Sequence, residues 1–78
     1  MIKKVEKLVI TFYTTTEAMA MEQVCKSVFA DGRLIPVPTF ISAGCGLAWC
    51  AKLESEEVLK EIMKIHQINP QGIYHCFV

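Results

Sequence analysis

Short apolar runs alternate with polar breaks along the chain, and the spacing within each run switches between two and three-to-four. Lys7-Leu8-Val9-Ile10-Thr11-Phe12-Tyr13 is β-branched and aromatic, which predicts a strand. Leu8, Ile10 and Phe12 would share one face, and Val9, Thr11 and Tyr13 the other. Thr14-Thr15-Thr16-Glu17 predicts a capping box, with Thr14 at the N-cap and Glu17 three residues on. Ala18, Met21, Val24, Cys25, Val28 and Phe29 follow at helical spacing. Asp31-Gly32 is expected to end that helix, with Gly32 as its left-handed stop.

Arg33-Leu34-Ile35-Pro36-Val37-Pro38 predicts a second strand. Its two prolines, two apart, leave bare backbone positions on the same side, which suits a sheet edge. Thr39 to Gly46 reads as a loop containing Ser42-Ala43-Gly44-Cys45-Gly46, and Leu47 to Leu53 as a third strand. Leu47, Trp49, Ala51 and Leu53 would point one way, and Ala48, Cys50 and Lys52 the other. Ser55 is the expected N-cap of a second helix, with Glu56 and Glu57 in its first turn. Glu56 and Lys60 stand at i,i+4, and Val58, Leu59, Ile62, Ile65 and His66 lie on one side. Asn69-Pro70-Gln71-Gly72 predicts a turn and Ile73 to Val78 a fourth strand.

The order β-α-β-β-α-β is the split βαβ pattern of ferredoxin-like domains. The expected fold is therefore α+β: a four-stranded antiparallel sheet with two helices on one face, forming a single domain over residues 1–78. That topology puts the second strand at an edge, where its prolines already place it. The face carrying Val9, Thr11 and Tyr13 has nothing left to cover it and is the expected contact surface of a homodimer.

Composition narrows the function. The chain has 78 residues, 53% of them hydrophobic, enough for one dense core. Eight basic and eight acidic side chains give zero net charge, so there is no basic footprint for nucleic acid and no attraction to an acidic membrane surface. No apolar run approaches the roughly 20 residues a spanning helix needs. The charged start followed by Thr14–Thr16 does not read as a signal peptide, so a cytoplasmic location is expected. In that compartment the four cysteines should be thiols.

Among them, Cys45 stands out because Gly44 and Gly46 flank it. Glycines admit a partner close to the backbone and let local N–H groups turn towards an anionic sulfur. A tight turn that merely holds a small residue is the simpler reading of the same motif. Cys25 falls on the apolar stripe of the first helix and reads as core. Cys50 and Cys76 fall on strands that flank the first strand without touching each other, so direct pairing is not expected. A metal site has poor spacing: Cys45-x4-Cys50 is wider than the usual C-x2-C pair, and adjacent His75 and Cys76 would face opposite ways. His66 reads as a cation near a helix C-terminus, and Lys3, Lys4 and Lys7 as a solvated basic end. No phosphate loop, dinucleotide fingerprint or H-E-x-x-H is present.

The double-proline strand Arg33–Pro38, followed by Ile41-Ser42 and Cys45-Gly46-Leu47-Ala48, resembles the DUF3343 family of selenium/sulfur carrier-like proteins. Ile10–Tyr13, Glu17-Ala18 and Gly72-Ile73-Tyr74 fit the same pattern, so the resemblance covers nearly the whole chain. It implies a carrier with Cys45 as the residue bearing sulfur or selenium. Gly44 and Gly46 would give access, and Ser42 would hydrogen-bond the loaded anion. Members often carry a basic residue shortly after the second proline. Thr39-Phe40 has none, so a thiolate here would rely on backbone N–H groups or on Arg33. On this reading a desulfurase- or lyase-type donor loads the sulfur and an acceptor protein removes it, with no cofactor, as carriage more than catalysis. The alternative from a different class is a small binding module for a metabolite or protein, without cysteine chemistry.

Overall fold

The computed structural model describes residues 4–41 and 45–78. Four strands, β1 (Glu6–Phe12), β2 (Arg33–Pro36), β3 (Leu47–Ala51) and β4 (Pro70–Phe77), and two helices, α1 (Thr15–Ser27) and α2 (Glu56–Ile65), follow the order β-α-β-β-α-β. The sheet order is β2-β3-β1-β4, with every neighbouring pair antiparallel. This is the ferredoxin-like α+β arrangement, and the proline-bearing β2 does lie at an edge.

The core lies between the sheet and the helices. Leu8, Ile10 and Phe12 from β1 and Trp49 and Ala51 from β3 meet Ala18, Met21 and Cys25 of α1 and Leu59 and Met63 of α2. On the opposite face, Val9, Thr11 and Ala48 are also fully buried. That face is therefore closed along its centre. The Thr11 hydroxyl donates to the Gly72 carbonyl at 3.4 Å.

Several boundaries differ from the sequence expectation. Thr14 caps α1 by accepting from the Glu17 N–H at 3.2 Å. The helix ends at Ser27, before Gly32. Phe29 takes the left-handed position at φ 57°, and the Ala30 N–H reaches back to the Cys25 carbonyl at 2.8 Å. This is the Schellman closure, made without glycine. Because the chain turns there, Val28 and Phe29 leave the apolar stripe, and Phe29 is 95% exposed. α2 ends in the same way, with Gln67 at φ 58° and an Ile68 N–H to Met63 carbonyl bond of 2.8 Å. Its buried side is Leu59 and Met63, while Val58, Ile65 and His66 face outward.

β3 stops at Ala51, and a 3-10 turn over Leu53–Ser55 leads into α2. Ser55 precedes α2 but makes no side-chain cap bond, its hydroxyl going instead to Asp31 Oδ2 at 3.5 Å. β4 begins earlier than expected, with Pro70 as its first residue, a position an edge strand tolerates.

Gly32 has φ +122° and is needed where β2 begins. A Cβ there would stand 2.3 Å from Trp49 Nε1 and 2.8 Å from the Cys50 carbonyl oxygen. Gly32→Ala should therefore combine a backbone clash with an unfavourable dihedral. The expected loss is about 2–4 kcal/mol in urea unfolding.

Candidate functional site

Cys45 stands two residues before β3, at the end of the sheet where β1 runs into the N-terminus of α1. The edge strand anchors its loop. Pro36 pairs with Leu47, and one residue further the Val37 N–H donates to the Gly46 carbonyl at 3.0 Å. A turn follows Pro38, closed by the Ile41 N–H on the Pro38 carbonyl at 2.9 Å. Ser42 and Gly44, which sequence reasoning put beside Cys45, lie outside the described residues.

Gly46 adopts φ +78°, with open space where a Cβ would stand. That conformation folds the chain so that the Cys45 sulfur returns onto the backbone of Leu47. The Leu47 N–H donates to Sγ at 3.4 Å, and the thiol donates to the Leu47 carbonyl at 3.3 Å. The N–H donor serves the sulfur in either protonation state. Cys45 is half-buried and packs against the core cluster. Gly46 is exposed where Cys45 is not, so the local backbone is more accessible than the thiol itself.

The other candidates are elsewhere. Arg33 pairs with Cys50, three residue steps from the Pro36–Leu47 pair, or about 10 Å along the strands. The structure does not bring it to Cys45. Cys50 pairs with Val9, and Cys76 with Lys7, on opposite sides of β1. Two strand spacings, about 9.5 Å, separate their backbones, beyond the Cα separation of about 7 Å a disulfide tolerates. Burial raises the Cys76 thiol above its usual range, with smaller contributions from Cys50 and Glu6. His75 Nε2 lies 2.7 Å from Glu56 Oε1, and Lys60 Nζ lies 2.9 Å from Glu56 Oε2. The Lys60 and His75 hydrogen bonds hold the Glu56 carboxyl below its usual range. Among the described residues, no cluster of three or more His, Cys, Asp or Glu side chains could hold a metal ion.

Sequence reasoning found the Glu56–Lys60 pair but missed His75, because only tertiary packing brings β4 to the start of α2. It also missed Leu47, whose contribution to the site is made by its backbone. Gly46 was the only signal that the chain turns back at that point.

An antiparallel ferredoxin-like sheet with a cysteine held just before β3 defines a small α+β domain. A family model described as "Putative Se/S carrier protein-like" matches residues 7–75 of the 78, and the chain belongs to that family. No curated protein and no solved structure matches it significantly. No helix among the described residues is long and apolar enough to cross a membrane.

Two measurements check this geometry. Gly46→Ala should cost about 1 kcal/mol in denaturant unfolding, since the penalty is the positive φ alone and the space is open. Cys25, fully buried on α1, has its thiol pushed up to about 11 from 9.0 by burial. The unfolded chain then loses this proton before the folded chain does, so stability present below pH 9 is lost as pH rises through about 11. Unfolding measured at about pH 8 and about pH 10.5 should show a smaller alkaline loss in Cys25→Ala than in the parent.

Proposed function

We propose that this chain carries sulfur or selenium on Cys45 as a persulfide or selenopersulfide. The observation that supports the reading is the hydrogen bond from the Leu47 N–H to Cys45 Sγ, with the segment after Cys45 tied to the edge strand. A carrier needs one nucleophilic sulfur, a fixed local environment for it and an approach for two partner proteins. It does not need a deep pocket.

In loading, the deprotonated Cys45 sulfur attacks the terminal sulfur of a donor persulfide. A new S–S bond forms on Cys45, the donor S–S bond breaks, and the donor leaves as its thiolate. Delivery repeats the exchange in the other direction: an acceptor thiolate attacks the terminal atom and Cys45 leaves as thiolate. Neither step needs an external oxidant. The Leu47 N–H stays beside the sulfur throughout as a hydrogen-bond donor. A donor of desulfurase or lyase type and an acceptor protein complete the cycle.

Incubation with a cysteine desulfurase and cysteine, followed by intact-mass measurement, tests the reading. The expected result is the gain of one sulfur atom, removable by dithiothreitol. It should be abolished in Cys45→Ser and retained in Cys25→Ser, Cys50→Ser and Cys76→Ser. A gain that persists in Cys45→Ser, or no gain at all, refutes Cys45 as the carrier residue.

A further inference from the structure

At the end of the β2–β3 pair remote from Cys45, the fold gathers cations and leaves them unpaired. Lys7, Arg33 and Lys52 line one cleft of about 330 Å³, together with Cys50 and Ile35. Each comes from a different part of the sheet: Lys7 from β1, Arg33 as the first residue of β2, and Lys52 just past the end of β3. Arg33 is in register with Cys50, and Lys52 lies two residues on from Cys50, on the same face. Lys7 and Lys52 each stand one step beyond Leu8–Ala51, the last pair of the β1–β3 ladder.

Like charges placed opposite each other across a sheet destabilise it. Folded proteins usually relieve this with a nearby carboxylate, as Glu56 does for Lys60. None of Lys7, Arg33 and Lys52 has an ion-pair partner among the described residues. Asp31 is the one acidic side chain on the rim. Its Oδ2 accepts from the Lys52 backbone N–H at 2.8 Å and from the Ser55 hydroxyl at 3.5 Å, both neutral donors. Even with Asp31 and a chain-terminal carboxylate at Val78 both counted, cations outnumber anions by three to two in this cleft.

We propose that this cleft binds a small divalent oxyanion of the phosphate, sulfate or thiosulfate class. Lys7 and Lys52 approach it from facing strands as point charges, and Arg33 presents its planar fork from the edge strand. The volume is at the lower limit of small-molecule sites, which run from about 300 to 1,000 Å³, and so suits a compact ion. The ion would supply these cations with the counter-charge that no described carboxylate gives them as an ion pair. The site stands apart from the persulfide reading, because Cys45 lies at the other end of the strand pair.

Thermal melts and amide chemical-shift titrations of the full chain, with phosphate or thiosulfate against sodium chloride at matched ionic strength, test the site. The divalent ions should raise the melting temperature saturably, with the shifts centred on Lys7, Gly32, Arg33, Cys50 and Lys52. Lys7→Gln and Lys52→Gln should each weaken binding about tenfold, the loss expected for one charge-assisted hydrogen bond. Lys64→Gln, which removes a cation on α2, should leave binding unchanged. In chloride, Lys52→Gln should melt no lower than the parent, which separates lost binding from lost folding. A response that follows ionic strength alone, or that survives both Lys7→Gln and Lys52→Gln, overturns the proposal.

Discussion

The indole of Trp49 lies against the backbone of Gly32 and donates to the Asp31 carbonyl at 3.1 Å, and the rest of the molecule depends on that corner. Trp49 belongs to β3 and to the core, whereas Asp31 and Gly32 join α1 to β2. The Asp31 carboxylate extends the tie by accepting from the Lys52 N–H, where β3 gives way to the 3-10 turn before α2. One short segment thus fixes the entry to β2 and the exit from β3. An edge strand of four residues, with a sheet neighbour on one side only, has little else to set its register. A one-residue slip would turn Leu34 away from the core it packs against.

Register then sets both ends of the strand pair. At one end, Pro36 opposite Leu47 brings the Val37 N–H onto the Gly46 carbonyl, and Gly46 turns the Cys45 sulfur back onto Leu47. At the other end, Arg33 opposite Cys50 brings a guanidinium alongside Lys52 and Lys7. A sulfur site and a cationic cleft are consequences of the same pairing, about 10 Å apart along the strands. Gly32 and Gly46, the two glycines with positive φ among the described residues, mark the two turns that make this possible.

The topology was legible in the sequence because it rests on patterns that local chemistry writes directly. Period-two runs gave the strands, Thr14 and Glu17 gave the start of α1, and the spacing of Pro36 and Pro38 gave the edge. Helix ends were less legible. The Schellman closures use Phe29 and Gln67, residues with no intrinsic preference for positive φ, so tertiary packing overrode the expectation that Gly32 would supply the stop. The outward turn of Val28 and Val58 follows from where each helix meets the sheet, and periodicity alone misassigns such flanking positions. Of the candidate site, Cys45 and Gly46 could be read from the chain, but the backbone that holds the sulfur could not. A backbone N–H carries no residue identity, and Leu47 looks like any other strand residue. Arg33 was expected to stand in for the cation missing after the second proline, whereas an antiparallel pair carries the start of one strand to the end of the next.

Zero net charge describes the chain correctly but hides how the charge is distributed. On the helical side, Glu56 holds both Lys60 and His75, so two basic side chains share one acid at the start of α2. That is a structural use of charge: it ties α2 to β4 and leaves little field outside. Beside the sheet, Lys7 of β1, Arg33 of β2 and Lys52 just past β3 share a cleft whose acidic side chain, Asp31, accepts from the Lys52 N–H and the Ser55 hydroxyl. The two arrangements differ in their cost to folding. The first is self-compensating, whereas the second leaves Lys7 and Lys52 without an ion-pair partner among the described residues. A domain of this size works with a stability of only a few kcal/mol. The proposed counter-ion would add to that margin, and without it the flexible lysine stems let the two charges spread into solvent.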